Sequence, residues 1–570
     1  MDKLLDSSVE KMLPLKEKDK PVVQKLLSSG CCARCVLRFC CVLVQSLYRQ
    51  PVQDTLKQLQ DFVSDLDSKT PNESTAVPEP HPASGDKSHD ATEAKQGEDE
   101  SEEGTRTATE QSDDPPKKRM KLDDGLKGSE ASAGSGDAEA PPAPALSHCV
   151  VCLGVLQEYC SRDHARKVAE AVKTEDYHFE TILLSVSLPA QLCVREHSCW
   201  LHVKKEMREK VMTRVKDDIV PLKEAFKWSV QGLIATELGG VSVVTRSAFE
   251  VGMEFKHSPT DSDCHFLATT CPDCFRPTKN KDSVFTRAAV IKALEKIPDS
   301  KFLIHYPTPP GRPTSICTSQ AIQCLHTSIY VAGRYNKYSR SLSQTPWIID
   351  GRRMMESSVE ELIAEPLASS FRSKGFNFSS SGREDVDVRT LGKGRPFAME
   401  MLNPHRYRFT KMEMKKIQET INTSSDKIAV RDLQIVTREC MGHMKEGEEE
   451  KTKSYTALVW TQKPIEKDDI IFLDDIKELT LDQKTPLRVL HRRALAVRQR
   501  VIHSMNASFR DPHHFYLRLK TQAGTYIKEF VHGDFGRTKP NLCQLLKMDT
   551  DILELDVESV DVDWPPTIPE

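Results

Sequence analysis

FNFSSSGREDVDVRTLGKGRPF, residues 376–397, sets Arg383, Asp385, Asp387 and Arg389 at every second position between a serine run and a pair of glycines. Gly382, Gly392 and Gly394 permit backbone angles and close approaches that a side chain forbids, which marks a turn or a ligand-facing loop. Read as a short strand, the middle of the stretch sends successive side chains to opposite faces. Two carboxylates bracketed by two guanidiniums then share one face, with Val386 and Val388 on the other. A solvated edge laced with ion pairs has the same pattern. The rest of the chain decides between them.

At 570 residues the chain is too long for one core, and about two to four domains are expected. Hydrophobic residues make up 38% and charged residues 29%, a soluble globular composition with a polar excess. No apolar run approaches the roughly 20 residues that cross a bilayer. The N-terminal MDKLLDSSVEKMLPLKEKDK lacks the apolar core of a secretory signal. An intracellular protein with no membrane partner is expected, so its 17 cysteines read as thiols or metal ligands rather than disulfides. The formal net charge of −4 is unevenly spread. Residues 71–146 contain no Phe, Tyr or Trp and are dense in Glu, Asp, Ser, Gly, Ala and Pro, a composition that predicts disorder. Without that segment the remainder is net basic. Within it PPKKRMKL, 115–122, resembles a nuclear-import signal, and residence in both nucleus and cytoplasm is expected.

Both flanks of the acidic segment are rich in cysteine: GCCARCVLRFCC (30–41) and SHCVVCLGVLQEYC (147–160). Cys32 with Cys35, and Cys149 with Cys152, each form a CxxC turn, and two such turns bring four thiolates to one tetrahedral zinc ion. The long insertion between them is tolerable because loop closure costs grow only logarithmically with length. CPDC, at Cys271 and Cys274, is the competing pair. The reading assigns structural Zn²⁺ to Cys32, Cys35, Cys149 and Cys152.

From Ser161 to about Pro310 the pattern is α+β: SRDHARKVAEAVKTE reads as a helix capped by Ser161 and TILLSVSLP as a strand. Segments 216–233 and 286–297 read as helices. Beyond Ser315 strict alternation takes over, in AIQCLHTSIYVAGRY, PFAMEML, KIAVRDLQIVT, SYTALVWT, LAVRQRVIH, HFYLRLKTQ and ILELDVESVDVD. Strands in that number predict a large mixed, mainly antiparallel sheet covered by helices on one face. Thr410 with Glu413 reads as a capping box opening one such helix. In the last strand Leu553, Leu555 and Val557 read as the buried face.

Four segments of this second region concentrate Arg, Lys and aromatics. GRYNKYSRSLSQTPWIIDGRR, 333–353, interleaves bases for phosphates with rings for unstacked nucleobases. QKTPLRVLHRRALAVRQR, 483–500, has no acid at all and predicts contact with a polyanion. Tyr455 opens a strand after Lys451 and Lys453, and Gly524 precedes a predicted strand carrying Lys528. P-loop, Rossmann, HExxH and nucleophile-elbow patterns are absent, so the sequence supports neither nucleotide hydrolysis, nor dehydrogenation, nor zinc proteolysis.

GREDVDVR, KSYTALVW and AGTYIKEFVHGDFGRTKPNL resemble motifs I, II and III of pseudouridine synthases. With GRYNKYSR, QTPWIIDG and the CxxC-bearing N-terminal region, the chain resembles the archaeal and animal tRNA pseudouridine synthase family Pus ten over nearly its whole length outside the acidic insertion. The resemblance implies a pseudouridine synthase fold at 313–565, a zinc-containing, THUMP-type α+β accessory RNA-binding domain at 1–70 with 147–312, and 71–146 as insertion. It implies Asp385 as catalytic aspartate, Tyr455 as base-stacking tyrosine and Lys528 as the basic partner. Two RNA-gripping loops, likened to a forefinger and a thumb, correspond to about 345–358 and 483–498. The expected RNA contacts are Arg334, Lys337, Arg340, Thr345, Trp347, Arg352, Arg353, Lys484, Arg488, His491, Arg492, Arg493 and Arg498. The substrate implied is the TΨC arm of tRNA, at adjacent uridines 54 and 55 in tRNA numbering, with other structured RNA as a possible partner.

The chemistry explains these residue types independently. Making pseudouridine breaks the bond from N1 to C1′, rotates the base and rejoins it through C5 without redox change, so no organic cofactor is expected. An ionised carboxylate is needed at the ribose, and a cationic neighbour, Arg383 or Lys528, favours that form. Two other readings compete. A non-catalytic, zinc-dependent RNA-binding protein would use the charged face to grip phosphates. A glycoside hydrolase would use Asp385 and Asp387 as its pair, but the flanking arginines work against the protonated acid it needs.

Overall fold

The computed structural model describes residues 13–64, 147–209, 216–276, 284–445, 451–491 and 493–569. The acidic stretch 71–146, the basic cluster 115–122 inside it, and Arg492 lie outside the described residues. Among the described residues no helix is long and apolar enough to cross a membrane.

The first region is built on five strands: β1 (Thr181–Ser187), β2 (Ser242–Val243), β3 (Phe249–Lys256), β4 (Thr318–Ser319) and β5 (Gln323–His326). β1 runs parallel to β2 and β3, and β3 is antiparallel to β4 and β5. Ile182, Leu184 and Val186 of β1 alternate inward and join Val168, Val172, Phe226 and Val230 from two helices in one core. Ser161 caps the first of these, Arg162–Thr174, by accepting from His164 N. Thr286 caps Arg287–Lys296 in the same way. The helix expected from 216 starts only at Leu222, after a single 3-10 turn at Lys216–Asp218. Pro221 explains the delay, because a proline disfavours helical angles at the residue before it.

The second sheet comprises β6 (Ile329–Lys337), β9 (Gly375–Ser380), β10 (Val388–Leu402), β11 (Ile428–Val436), β12 (Thr452–Thr461), β13 (Lys477–Lys484), β14 (Val497–Asp511), β15 (His514–Gln522), β16 (Thr538–Lys539) and β17 (Thr550–Val560). Between β6 and β9 a separate hairpin pairs β7 (Ile348–Ile349) with β8 (Arg352–Arg353). The strand order is β11, β6, β10, β17, β12, β15, β14, β13, β16, with β9 also on β10. Every pairing is antiparallel except β10 with β17, where Val388 faces Leu555 and Thr390 faces Val557. Helices Val359–Phe371 and Lys411–Ser424 cover one half through Ile363, Leu367, Ile417 and Ile421. Helix Ile527–His532 covers the other through Phe530 and Val531. The Thr410 and Glu413 capping box forms as read.

Three expectations shift. AIQCLHTSIYVAGRY is two strands in two sheets: β5 pairs with β3, and β6 begins the second sheet. The His326 and Thr327 amides are taken by Asn403 Oδ1 and the Ala248 carbonyl, both at 2.8 Å, which closes the first ladder. The junction between the sheets therefore lies at 327–328 rather than 313. In β17, Leu553 is 52% exposed, because it is the extra residue of a bulge: Glu554 pairs with Leu458 and Ile552 with Val459, which leaves Leu553 without a partner in the ladder and resets the alternation. Gly392 and Gly394, finally, serve the sheet rather than a ligand. They form the bulge of β10 between Thr390 and Arg395 with φ of +56° and +76°. A Cβ would lie 2.1 Å from the Glu558 carbonyl oxygen at Gly392 and 2.7 Å from that of Tyr335 at Gly394.

Candidate active site

The alternating charges form a turn, not a strand. Val388 N donates to the Asp385 carbonyl at 3.2 Å, and β10 starts only at Val388. The four charges consequently part. Arg383 is exposed, Arg389 binds Asp556 at 2.8 Å, and Asp385 and Asp387 turn toward the helix of motif III.

Lys337 fixes this turn from inside the protein. Its Nζ donates to the carbonyls of Val386 (2.6 Å), Leu342 (2.8 Å) and Asp385 (3.3 Å). Complete burial pushes its ammonium down to about 8. Arg340 braces the outer side, donating to the carbonyls of Asp387 at 3.0 Å and Leu555 at 2.9 Å. A buried ion pair, absent from the sequence reading, lies beneath. Glu384 takes Arg395 Nε at 2.8 Å and the Tyr335 hydroxyl at 2.8 Å, while Gln344 donates to that hydroxyl at 2.7 Å. Glu384 falls between the alternating charges, on the face that a strand would give to Val386 and Val388.

Asp385 opens into a cavity of about 690 Å³ that Tyr455, Arg395, Arg488, Arg493, Arg498 and Lys528 also line. Arg488, on the turn Leu487–Val489, donates to Asp385 Oδ2 at 2.7 Å and to Glu529 Oε1 at 2.7 Å. Lys528 reaches the same Oδ2 at 3.5 Å and Asp387 Oδ2 at 2.7 Å. It rides on the first turn of helix Ile527–His532, not on a strand. Gln483 locks that entry through both the amide and the carbonyl of Tyr526, each at 2.9 Å. Burial would raise the Asp387 carboxyl, but the hydrogen bond and charge of Lys528 outweigh it and hold the group below the usual aspartate range. Tyr455 stands on β12 opposite Leu519 and Val557, and burial raises its phenol. The cationic partners of Asp385 are thus Arg488 and Lys528, and Arg383 is not one of them.

In the first region the ligand atoms of Cys32, Cys35, Cys149 and Cys152 lie within 4.8 Å of one another, all buried. Cys32 N points at Cys149 Sγ at 3.2 Å, the contact a thiolate accepts. Four thiols around one dry point match the donor set of a tetrahedral metal site. Cys271 and Cys274 are half-buried in a different cluster, with Val290 and Phe302, and form no part of this group.

A family model described as "Pus10, C-terminal" matches residues 330–561, and one described as "Eukaryotic Pus10, N-terminal" matches 149–324. The mouse tRNA pseudouridine synthase Pus10 is 55% identical over 557 residues, 98% of this chain and 100% of its own length. The human protein of that name is 53% identical over 565 residues, with the same coverage. The chain belongs to the Pus10 family.

Membership makes it an isomerase with a pseudouridine synthase fold. The Pus10 of Thermofilum pendens is 37% identical over 246 residues, 42% of this chain and 54% of its own length. The two model matches leave 325–329 between them, where the chain passes from one sheet to the other.

The Pus10 geometry sorts the residues expected at RNA. Arg334 is buried and donates to the carbonyls of Lys393, Gly394, Val560, Val562 and Trp564, so it clamps the C-terminal segment and has no nitrogen left for a phosphate. Lys337 is withdrawn for the same reason. Arg340 is occupied by carbonyls and by Glu554 and Asp556, and Arg488 by Asp385 and Glu529. Lys484, His491 and Arg493 are exposed, and Arg498 is half-buried against Thr485. On the hairpin Trp347, Arg352 and Arg353 are exposed, Arg353 pairing with Glu361 at 2.6 Å, while Thr345 is half-buried.

Proposed function

We propose that this Pus10 protein isomerises uridine to pseudouridine in tRNA, acting on adjacent uridines of the TΨC loop, with Asp385 as the carboxylate that meets the ribose. The observation carrying this reading is the seat of Asp385: one carboxylate oxygen held by Arg488 and Lys528, in a basic cavity shared with Tyr455. A uridine must leave its stack to enter, at a cost of roughly a few kcal/mol, and Tyr455 offers the face against which its base rests. The carboxylate then assists cleavage of the bond from N1 to C1′. The freed base rotates, C5 bonds to C1′, the C5 proton passes to solvent, and N1 takes up a proton in its place. Arg488 and Lys528 fix the carboxylate while Arg493 and Arg498 draw the phosphates.

Cys32, Cys35, Cys149 and Cys152 would hold Zn²⁺ in an accessory RNA-binding domain of THUMP type. Bound there, the ion contributes folding energy. Entry to the nucleus through 115–122, with activity in both compartments, belongs to the same proposal.

The test is tRNA tritiated at uridine C5: the protein should release the label to water. Binding without release would favour the non-catalytic reading. The glycosidase reading loses its acid, because Lys528 holds Asp387 below the usual range and Arg488 occupies Asp385.

A further inference from the structure

Past the helix that carries Lys528, four consecutive residues adopt the left-handed conformation: Gly533 (φ +78°), Asp534 (+47°), Phe535 (+56°) and Gly536 (+79°). Glycine occupies that region freely and aspartate tolerates it, but a phenylalanine there is strained. Phe535 is also 94% exposed, the most exposed large apolar side chain among the described residues. Two unfavourable choices therefore coincide, an aromatic ring in water and a left-handed backbone beneath it. Such strain persists where the surroundings enforce it, and it gathers at sites of use.

The surroundings do enforce it. Asp534 Oδ2 accepts from Leu487 N at 3.3 Å, and Arg537 N donates to the Asp534 carbonyl at 3.0 Å. Arg537 Nη2 donates to the Thr485 carbonyl at 2.7 Å, and Lys484 N to the Arg537 carbonyl at 3.0 Å. Gly533 is pressed against Asn541, whose Nδ2 would stand 2.8 Å from a Cβ. The turn is thus stitched to residues 484–487, and the next residue along, Arg488, holds Asp385. The ring is mounted on the frame that positions the catalytic carboxylate. Lys484 and Lys539 are exposed beside it and Arg537 is half-buried, while Asp482, opposite Lys539 in the ladder, is the exposed acid nearby.

We propose that Phe535 is a stacking platform for an unpaired base of the RNA substrate, next to the nucleotide that enters the cavity. The inference rests on the RNA-modifying function proposed above. A lone rigid ring among cations is the arrangement that single-stranded nucleic acid uses. A protein anchor instead sits at the centre of a packed apolar patch, whereas Phe535 stands among Gly536, Lys484, Lys539 and Arg537, with Leu487 as an exposed apolar neighbour and Asp534 turned inward. Lys528 and Gly533 are about 8 Å apart along the helix at its rise per residue, so a strand with one base in the cavity passes the ring within a few nucleotides.

The experiment uses the full-length protein and an unmodified tRNA transcript, measuring Kd, tritium release and Tm for wild type, Phe535→Trp and Phe535→Gly. Trp should keep the affinity within about twofold. Gly should weaken it by about 5- to 100-fold, the worth of one stacked base. The same Gly variant should melt higher than wild type, because it relieves the left-handed strain. Weaker binding by a more stable protein cannot be misfolding. Unchanged tRNA affinity in Phe535→Gly, while wild type binds and releases tritium, overturns the platform and leaves the proposed function standing. So does a lower Tm with unchanged affinity, or intact RNA binding with loss of a protein partner. A wild type that neither binds tRNA nor releases label overturns both.

Discussion

Arg488 joins Asp385 to Glu529, donating to each at 2.7 Å from different nitrogens of one guanidinium. The planar fork sets the angle between the aspartate turn and helix Ile527–His532, which a lysine, with a single point charge, cannot do. Arg488→Met should lower kcat by about two orders of magnitude. It should also cost about 1–3 kcal/mol, because Glu529 is left buried without its partner. Urea unfolding and single-turnover kinetics measure the two effects. Adding Glu529→Met should restore most of the stability and none of the rate.

Lys337 is a positioning residue for the same turn. Lys337→Met should reduce kcat by about 10- to 100-fold while KM stays within about twofold, since it loosens the aspartate without touching RNA. The sign of the pH effect follows from burial. The ammonium titrates at about 8 in the folded protein, below the 10.5 of a free lysine, so between these values the unfolded chain binds more protons and Lys337 adds stability as pH rises. The deficit of Lys337→Met relative to wild type should therefore be larger at pH 10 than at pH 7, as read by urea unfolding at both.

The sequence was most legible where chemistry is local. The CxxC pairs, the Ser161 and Thr410 caps and the strand of Tyr455 each follow from residues close together in the chain. Asp385 and Lys528 are marked by motif resemblance. What stayed hidden depends on distant partners. Arg334, Lys337 and Arg340 look like phosphate contacts because sequence shows a charge and not the carbonyls waiting for it, most of them 47 to 230 residues away. Glu384 gives no signal in the sequence because its partner Arg395 lies beyond the glycine bulge. The alternation of Arg383 to Arg389 suggested a strand where Lys337 draws the backbone into a turn.

Gly392 supports the site through the sheet. Gly392→Ala would place a methyl 2.1 Å from the Glu558 carbonyl oxygen at a φ of +56°, so it should cost about 3 kcal/mol. It should also spoil the parallel pairing of β10 with β17 directly after the aspartate turn. A lower Tm with a fall in kcat, in a protein of normal circular dichroism, is the expected result.

At the cysteine cluster, wild type should carry one zinc per chain by elemental analysis. Cys149→Ser should lose it and Cys271→Ser should keep it, because only the former belongs to the buried group of four. Chelation should expose the thiols of that group to a thiol reagent and lower Tm.

The two aspartates of the turn give the most direct test. Asp385 meets Arg488 and Lys528 beside Tyr455, whereas Asp387 is bound by Lys528 alone on the exposed side. Asp385→Asn and Asp387→Asn should be assayed side by side for tritium release from tRNA labelled at uridine C5. The account predicts no release from Asp385→Asn and substantial release from Asp387→Asn. Loss in Asp387→Asn alone, with Asp385→Asn still active, would contradict it.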